Sequence, residues 1–165
     1  MSAPPDAPSL PYGSGFLGGL RAGTTSVFLF VIVGSYVSIG ALAHDLGFPL
    51  LWLVLSSLLV WAAPAQVILI TALGAGAAPV EVALAVSLSS MRLLPMVVAL
   101  MPMLKTPQTR TRDVIVPAHF TAISVWIEAL RLLPRVPRDA RIGFANGIGT
   151  CFMGGAVAAS IRKID

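Results

Sequence analysis

The sequence predicts an all-α fold: a polytopic transmembrane helical bundle of about five apolar segments, one of them re-entrant or lying along the interface. Three observations predict it. Of 165 residues, 56% are apolar and only 11% charged, against about 25% charged in soluble domains. The apolar residues gather into runs of about 20, the length that crosses a hydrocarbon core of ~30 Å. The connections between the runs are short, which favours antiparallel neighbours packed as one bundle.

Residues 1–15, MSAPPDAPSLPYGSG, are rich in Pro, Gly and Ser and lack a basic start. They read as a disordered cap and not as a cleaved signal peptide. The chain thus divides into that cap and a single transmembrane helical domain over residues 16–165. The first apolar segment follows Arg21 and covers Thr24 to Ala43. His44-Asp45-Leu46-Gly47 then turns the chain into the second, Leu50 to Leu73. A connection of Gly and Ala ending at Pro79 leads to the third, Glu81 to Leu104, and a basic loop carrying Lys105, Arg110 and Arg112 follows it. The fourth, Val114 to Leu133, is weaker because it holds Pro117, His119, Glu128 and Arg131. The fifth runs from Ile142 to Ile161, after a loop with Arg135, Arg138 and Arg141.

Charge placement bears on the fourth segment, because cytoplasmic loops collect Lys and Arg. If all five segments span, the loop cations divide five against five and no orientation is favoured. If the fourth does not span, the count becomes seven against three, with Arg21, Arg162 and Lys163 on the minority side. The expectation is that the loops at 105–113 and 131–141 share the cytoplasmic face.

The fifth segment carries a stripe of small residues every fourth position: Gly143, Gly147, Cys151, Gly155 and Ala159. Such seams let helices approach closely in lipid. The stripe serves either packing within the bundle or contact with a partner subunit. Cys151, the one cysteine, is read as a packing residue.

Arg92 is the most informative residue. From Val82 to Leu104 the run VALAVSLSSMRLLPMVVALMPML holds no other charge. A guanidinium at mid-bilayer costs at least ~2.5–3.5 kcal/mol, so it faces a bundle interior, a partner or an aqueous cavity. It also does not shed its proton to escape that cost. Gln66 lies eleven residues before Ala77 and Arg92 fifteen after it. In an antiparallel pair of helices both then fall about 16 and 22 Å from the turn, near mid-depth. Pro64 and Pro95 loosen the helices beside them, as in transporters whose broken helices offer backbone dipoles to a substrate. Gln66 reads as a substrate contact or as interhelical glue. Arg92 reads as a substrate contact or as the ion-pair partner of Glu128. Ser89 and Ser90 accompany Arg92 as candidate substrate contacts, although serines in membrane helices commonly bond back to their own backbone.

Other functions are excluded on motif grounds. There is no basic stripe with interleaved aromatics for nucleic acid and no His/Cys cluster with metal-ligand spacing. The chain also lacks Gly-x-Ser-x-Gly, His-Glu-x-x-His and Gly-x-x-x-x-Gly-Lys, so neither an enzyme nor an ATP-binding chain is expected, and no cofactor.

Four motifs in order resemble the AzlC family, the large subunit of branched-chain amino-acid exporters. Phe16-Leu17-Gly18-Gly19-Leu20-Arg21-Ala22-Gly23 is similar to the family's approach to its first helix. Trp61 to Gln66 resembles an aromatic, four small residues and Gln, and Ser90-Met91-Arg92 resembles Asn-x-Arg followed by His. Pro137-Arg138-Asp139-Ala140-Arg141 with Gly143-Phe144 resembles the family's basic loop and next helix. The likeness covers most of residues 16–161. Ser90 stands for the family's Asn, Leu93 for its His, Ala63-Pro64 for a Gly-Ala pair, and Ala118-His119 where an acidic pair is usual.

The resemblance implies a multi-pass protein of the cytoplasmic (inner) membrane with a small AzlD-type membrane subunit as partner. It also implies export of branched-chain or similar amino acids. Family members continue into further apolar segments, whereas this sequence stops at Arg162-Lys163-Ile164-Asp165. The alternative expectation is therefore a truncated, non-transporting assembly or interaction subunit.

Overall fold

Prolines and short polar turns cut the apolar runs into more helices than periodicity alone suggests. The computed structural model describes residues 11–162 and, among them, contains helices and no strand. The disordered cap expected over residues 1–15 lies outside the described residues as far as residue 10.

A first helix, α1 (Gly15–Thr24), precedes the expected first segment. Its buried face is made of Gly18, Gly19, Ala22 and Gly23. Glycine is a poor helix former, so this element is invisible to propensity and exists through its packing. Thr24 and Thr25 hydroxyls donate back to the carbonyls of Arg21 and Ala22 as α1 ends. Ser26 Oγ then accepts from the Phe28 N–H at 3.2 Å, capping α2 (Val27–Asp45).

The second segment is two helices, α3 (Leu50–Leu59) and α4 (Ala63–Gly74). The third is also two, α5 (Pro79–Ser90) and α6 (Leu93–Leu104), bent by 44°. One cause serves both breaks. A proline ring collides with the carbonyl four residues earlier and cannot donate to it. Four residues before Pro64 is Val60 and four before Pro95 is Met91, the positions where α3 and α5 stop. Each proline then sits in the first turn of the next helix, where a missing N–H costs nothing. Pro102 lies inside α6 without ending it.

The fourth segment is α7 (Ile115–His119) and α8 (Ile123–Leu132). Ten residues of α-helix reach only about 15 Å, half a bilayer core. The fifth is α9 (Arg141–Ile161), 21 residues. By length and composition two helical stretches can cross a membrane, Val27–Asp45 and Arg138–Ile161, or three if α5 and α6 form one bent span. Of the expectation of about five apolar segments, one of them re-entrant, the structure shows the all-helical class and these two or three candidate spans; α3, α4, α7 and α8 are each too short to cross by themselves.

By its contacts the chain divides into two units. One comprises the described residues of Met1–Phe28 together with Pro95–Phe152. The other comprises Leu29–Leu94 with the described residues of Met153–Asp165.

In the first unit the loops on either side of α7 and α8 come together. Arg141 Nη1 donates to Met103 O at 3.1 Å and its Nε to Val136 O at 3.0 Å. Thr106 to Thr109 share a cavity with Arg138 and Asp139.

Candidate functional site

The second unit contains both helix breaks, and α4 packs directly against α5 between them. At the first break Gln66, in the first turn of α4, is fully buried. Its Nε2 donates to Ser57 Oγ at 2.7 Å and Ser56 Oγ at 3.0 Å, both in the last turns of α3. Those hydroxyls in turn donate to Leu53 O at 2.8 and 2.9 Å. With the serines committed this way, Gln66 Oε1 is left buried without a partner. An orphaned buried acceptor costs about 1–3 kcal/mol, so the amide is held here at a net expense on its oxygen side.

Beside the same break, Trp61 stacks on Tyr36 of α2, with ring centroids 6.0 Å apart and both residues buried. The first turn of α4 opens without a side-chain cap. Its leading N–H groups therefore keep the partial positive charge of a helix start.

At the second break Arg92 occupies the turn between α5 and α6 and is exposed. No ion pair or hydrogen bond joins its guanidinium to another described residue. Ser90 Oγ donates to Val86 O at 2.8 Å, the local backbone bond expected of a membrane serine, and Ser89 is half-buried. Gln66 bonds to the α3 serines and not to Arg92.

Glu128 is spoken for in the first unit. It is 1% exposed and takes Arg131 in a two-point grip, Nη2 to Oε1 at 2.6 Å and Nε to Oε2 at 3.2 Å. This hydrogen bond holds the Arg131 guanidinium above its ordinary pKa. Both donors come from the i,i+3 neighbour on the same helix. His119 stacks at a tilt on Phe120, 5.9 Å away. No group of three or more His, Cys, Asp or Glu poised for a metal occurs among the described residues.

The small-residue stripe of α9 faces helices of the same chain. A Cβ on Gly147 would strike Phe16 O and come within 2.7 Å of Leu20 N. One on Gly23 would meet the Cys151 side chain at 2.8 Å, and one on Gly143 would lie 3.3 Å from Phe16 N. Gly155 lies against Leu29, and Gly40 of α2 against Ser160 O. The stripe is occupied by α1 in one unit and by α2 in the other.

The sequence reading picked out Gln66 and Arg92 but not Ser56 and Ser57. A signal existed, since two adjacent serines interrupt the apolar run LLWLVLSSLL. Pairing them with Gln66 required knowing that the helix breaks at Val60.

The family model described as AzlC protein matches residues 27–162, most of the chain. No curated protein and no solved structure matches it.

Proposed function

The chain belongs to the AzlC family, a transport-associated family of membrane proteins, and from that premise we propose that it exports branched-chain or similar small amino acids. It does so across the cytoplasmic membrane together with a small AzlD-type subunit. The observation that carries this reading is Arg92: a guanidinium without a counter-ion among the described residues, in the turn between two apolar half-helices. A planar fork of donors matches a carboxylate at two points. Arg92 holds the substrate carboxylate, Ser89 and Ser90 flank it, and Gln66 orients the substrate from the neighbouring break. The backbone discontinuities ahead of Pro64 and Pro95 are the hinges through which the site opens to either face. The apolar helices around them suit an aliphatic side chain.

The test is efflux of leucine, isoleucine, valine and methionine from cells with and without this gene and a co-expressed small subunit. Export of at least one of the four is expected, and unchanged efflux of all four refutes the substrate assignment. Arg92→Lys and Arg92→Gln should both reach the membrane in normal amount and lose most transport. Transport retained by Arg92→Gln removes Arg92 from the site.

A further inference from the structure

The two basic loops of the first unit enclose an open cavity of about 630 Å³ that the transport reading leaves unused. It lies between the end of α6 and the start of α9, where Arg138 opens the apolar stretch Arg138–Ile161. A cavity at the mouth of a candidate span is placed at a membrane boundary. Its walls mix donors and acceptors: Thr106, Gln108, Thr109 and Arg138 on one hand, Asp113 and Asp139 on the other.

Charge selects among ligands. The two loops carry five exposed cations, Lys105, Arg110, Arg112, Arg135 and Arg138, against two carboxylates. Asp113 is already engaged, accepting from the Arg110 backbone N–H at 2.9 Å and lying 3.9 Å from Arg112 Nε. An excess of exposed cations beside a bilayer attracts anionic headgroups. Asp139 forms no ion pair or hydrogen bond with a described residue. A bare phosphate gains nothing from it, whereas a headgroup hydroxyl can donate to it. Two and three residues after Asp113, Ile115 and Val116 are 61% and 48% exposed. These offer apolar surface where an acyl chain leaves the headgroup, and a soluble anion has no use for it.

We propose that this cavity binds an anionic phospholipid whose phosphodiester headgroup carries free hydroxyls, with Arg138 and the loop donors at the phosphate and Asp139 at a hydroxyl. The site is independent of Arg92 and of any transported substrate.

The experiment uses the full chain purified in detergent. Lipid retained after exchange is measured by native mass spectrometry, with phosphatidylglycerol, phosphatidylethanolamine and phosphatidic acid supplied in turn. Phosphatidylglycerol should be preferred over phosphatidylethanolamine by about tenfold or more, and Arg138→Gln should weaken its retention about fivefold, the effect of one cation near an anionic group. Asp139→Asn should erase the preference for phosphatidylglycerol over phosphatidic acid, which lacks the hydroxyls. Arg162→Gln, outside both loops, should change nothing, and gel filtration identifies any variant that has lost its fold. Equal retention of all three lipids overturns the proposal, and so does wild-type retention by folded Arg138→Gln and Asp139→Asn. Displacement of the lipid by millimolar inorganic phosphate or glycerol 3-phosphate also overturns it, by making the site one for soluble anions.

Discussion

Gly147→Ala adds one methyl group to α9 where α1 leaves no room for it. The new Cβ would overlap Phe16 O and stand 2.7 Å from Leu20 N and 3.0 Å from Gly19 C. All three are backbone atoms, so no rotamer change relieves the clash and α1 must move as a body. Overpacking costs about 1–3 kcal/mol, and a backbone obstacle puts this case at the upper end. Against it stands the gain of about 1 kcal/mol from replacing helical Gly by Ala. The net loss is about 2 kcal/mol by these terms. Gly154, seven residues on in the same helix, is exposed and a Cβ there meets nothing within 4 Å. Gly154→Ala keeps only the propensity gain, about 0.5–1 kcal/mol. At about 2–4 °C per kcal/mol for a chain of this size, the two variants should differ in Tm by about 5–12 °C, with wild type between them. Thermal unfolding of detergent-purified protein, followed by size-exclusion fluorescence, measures the order. Equal melting temperatures, or Gly147→Ala the more stable, would show that α1 does not lie on α9 as described.

Three further outcomes follow from the contacts. Arg131→Ala strands the buried Glu128 carboxylate and should cost about 3 kcal/mol, whereas Glu128→Gln leaves only an exposed guanidinium and should cost less; melting of the two variants and the double mutant decides. Replacing Ser56 and Ser57 together by Ala leaves Gln66 Nε2 only its long 3.5 Å bond to Leu53 O while Oε1 stays unpaired, a loss of about 1–3 kcal/mol, and combining it with Gln66→Met should recover most of that stability because the poorly satisfied amide is then gone. In a Cys151→Ala background, single cysteines at Thr109 and Asp139 should label from the same face of the membrane in intact cells. Labelling from opposite faces would refute the expectation that the fourth segment does not span.

The all-helical class was legible from composition and run length, because lipid leaves an apolar chain few other ways to satisfy its backbone. The weakness of the fourth segment was legible too, since Pro117, Glu128 and Arg131 are costly at membrane depth. The helix breaks were half legible. Pro64 and Pro95 marked them, yet Pro102 shows that a proline alone does not end a helix. The element α1 was missed, because Gly18, Gly19 and Gly23 argue against a helix until α9 is there to receive Gly19 and Gly23, and Tyr12 and Gly13 to cover Gly18.

The site divides the same way. Arg92 and Gln66 stood out in the sequence because each is out of place in an apolar run, and that is a property of the residue and its neighbours along the chain. Their surroundings came from contacts between distant positions. Gln66 reaches nine and ten residues back to the serines of α3, and Glu128 pairs with Arg131 on its own helix. The α9 stripe met α1 and α2 of its own chain. Local chemistry sets what a residue can bond to, and the packing of helices far apart in sequence sets which of those partners comes within reach.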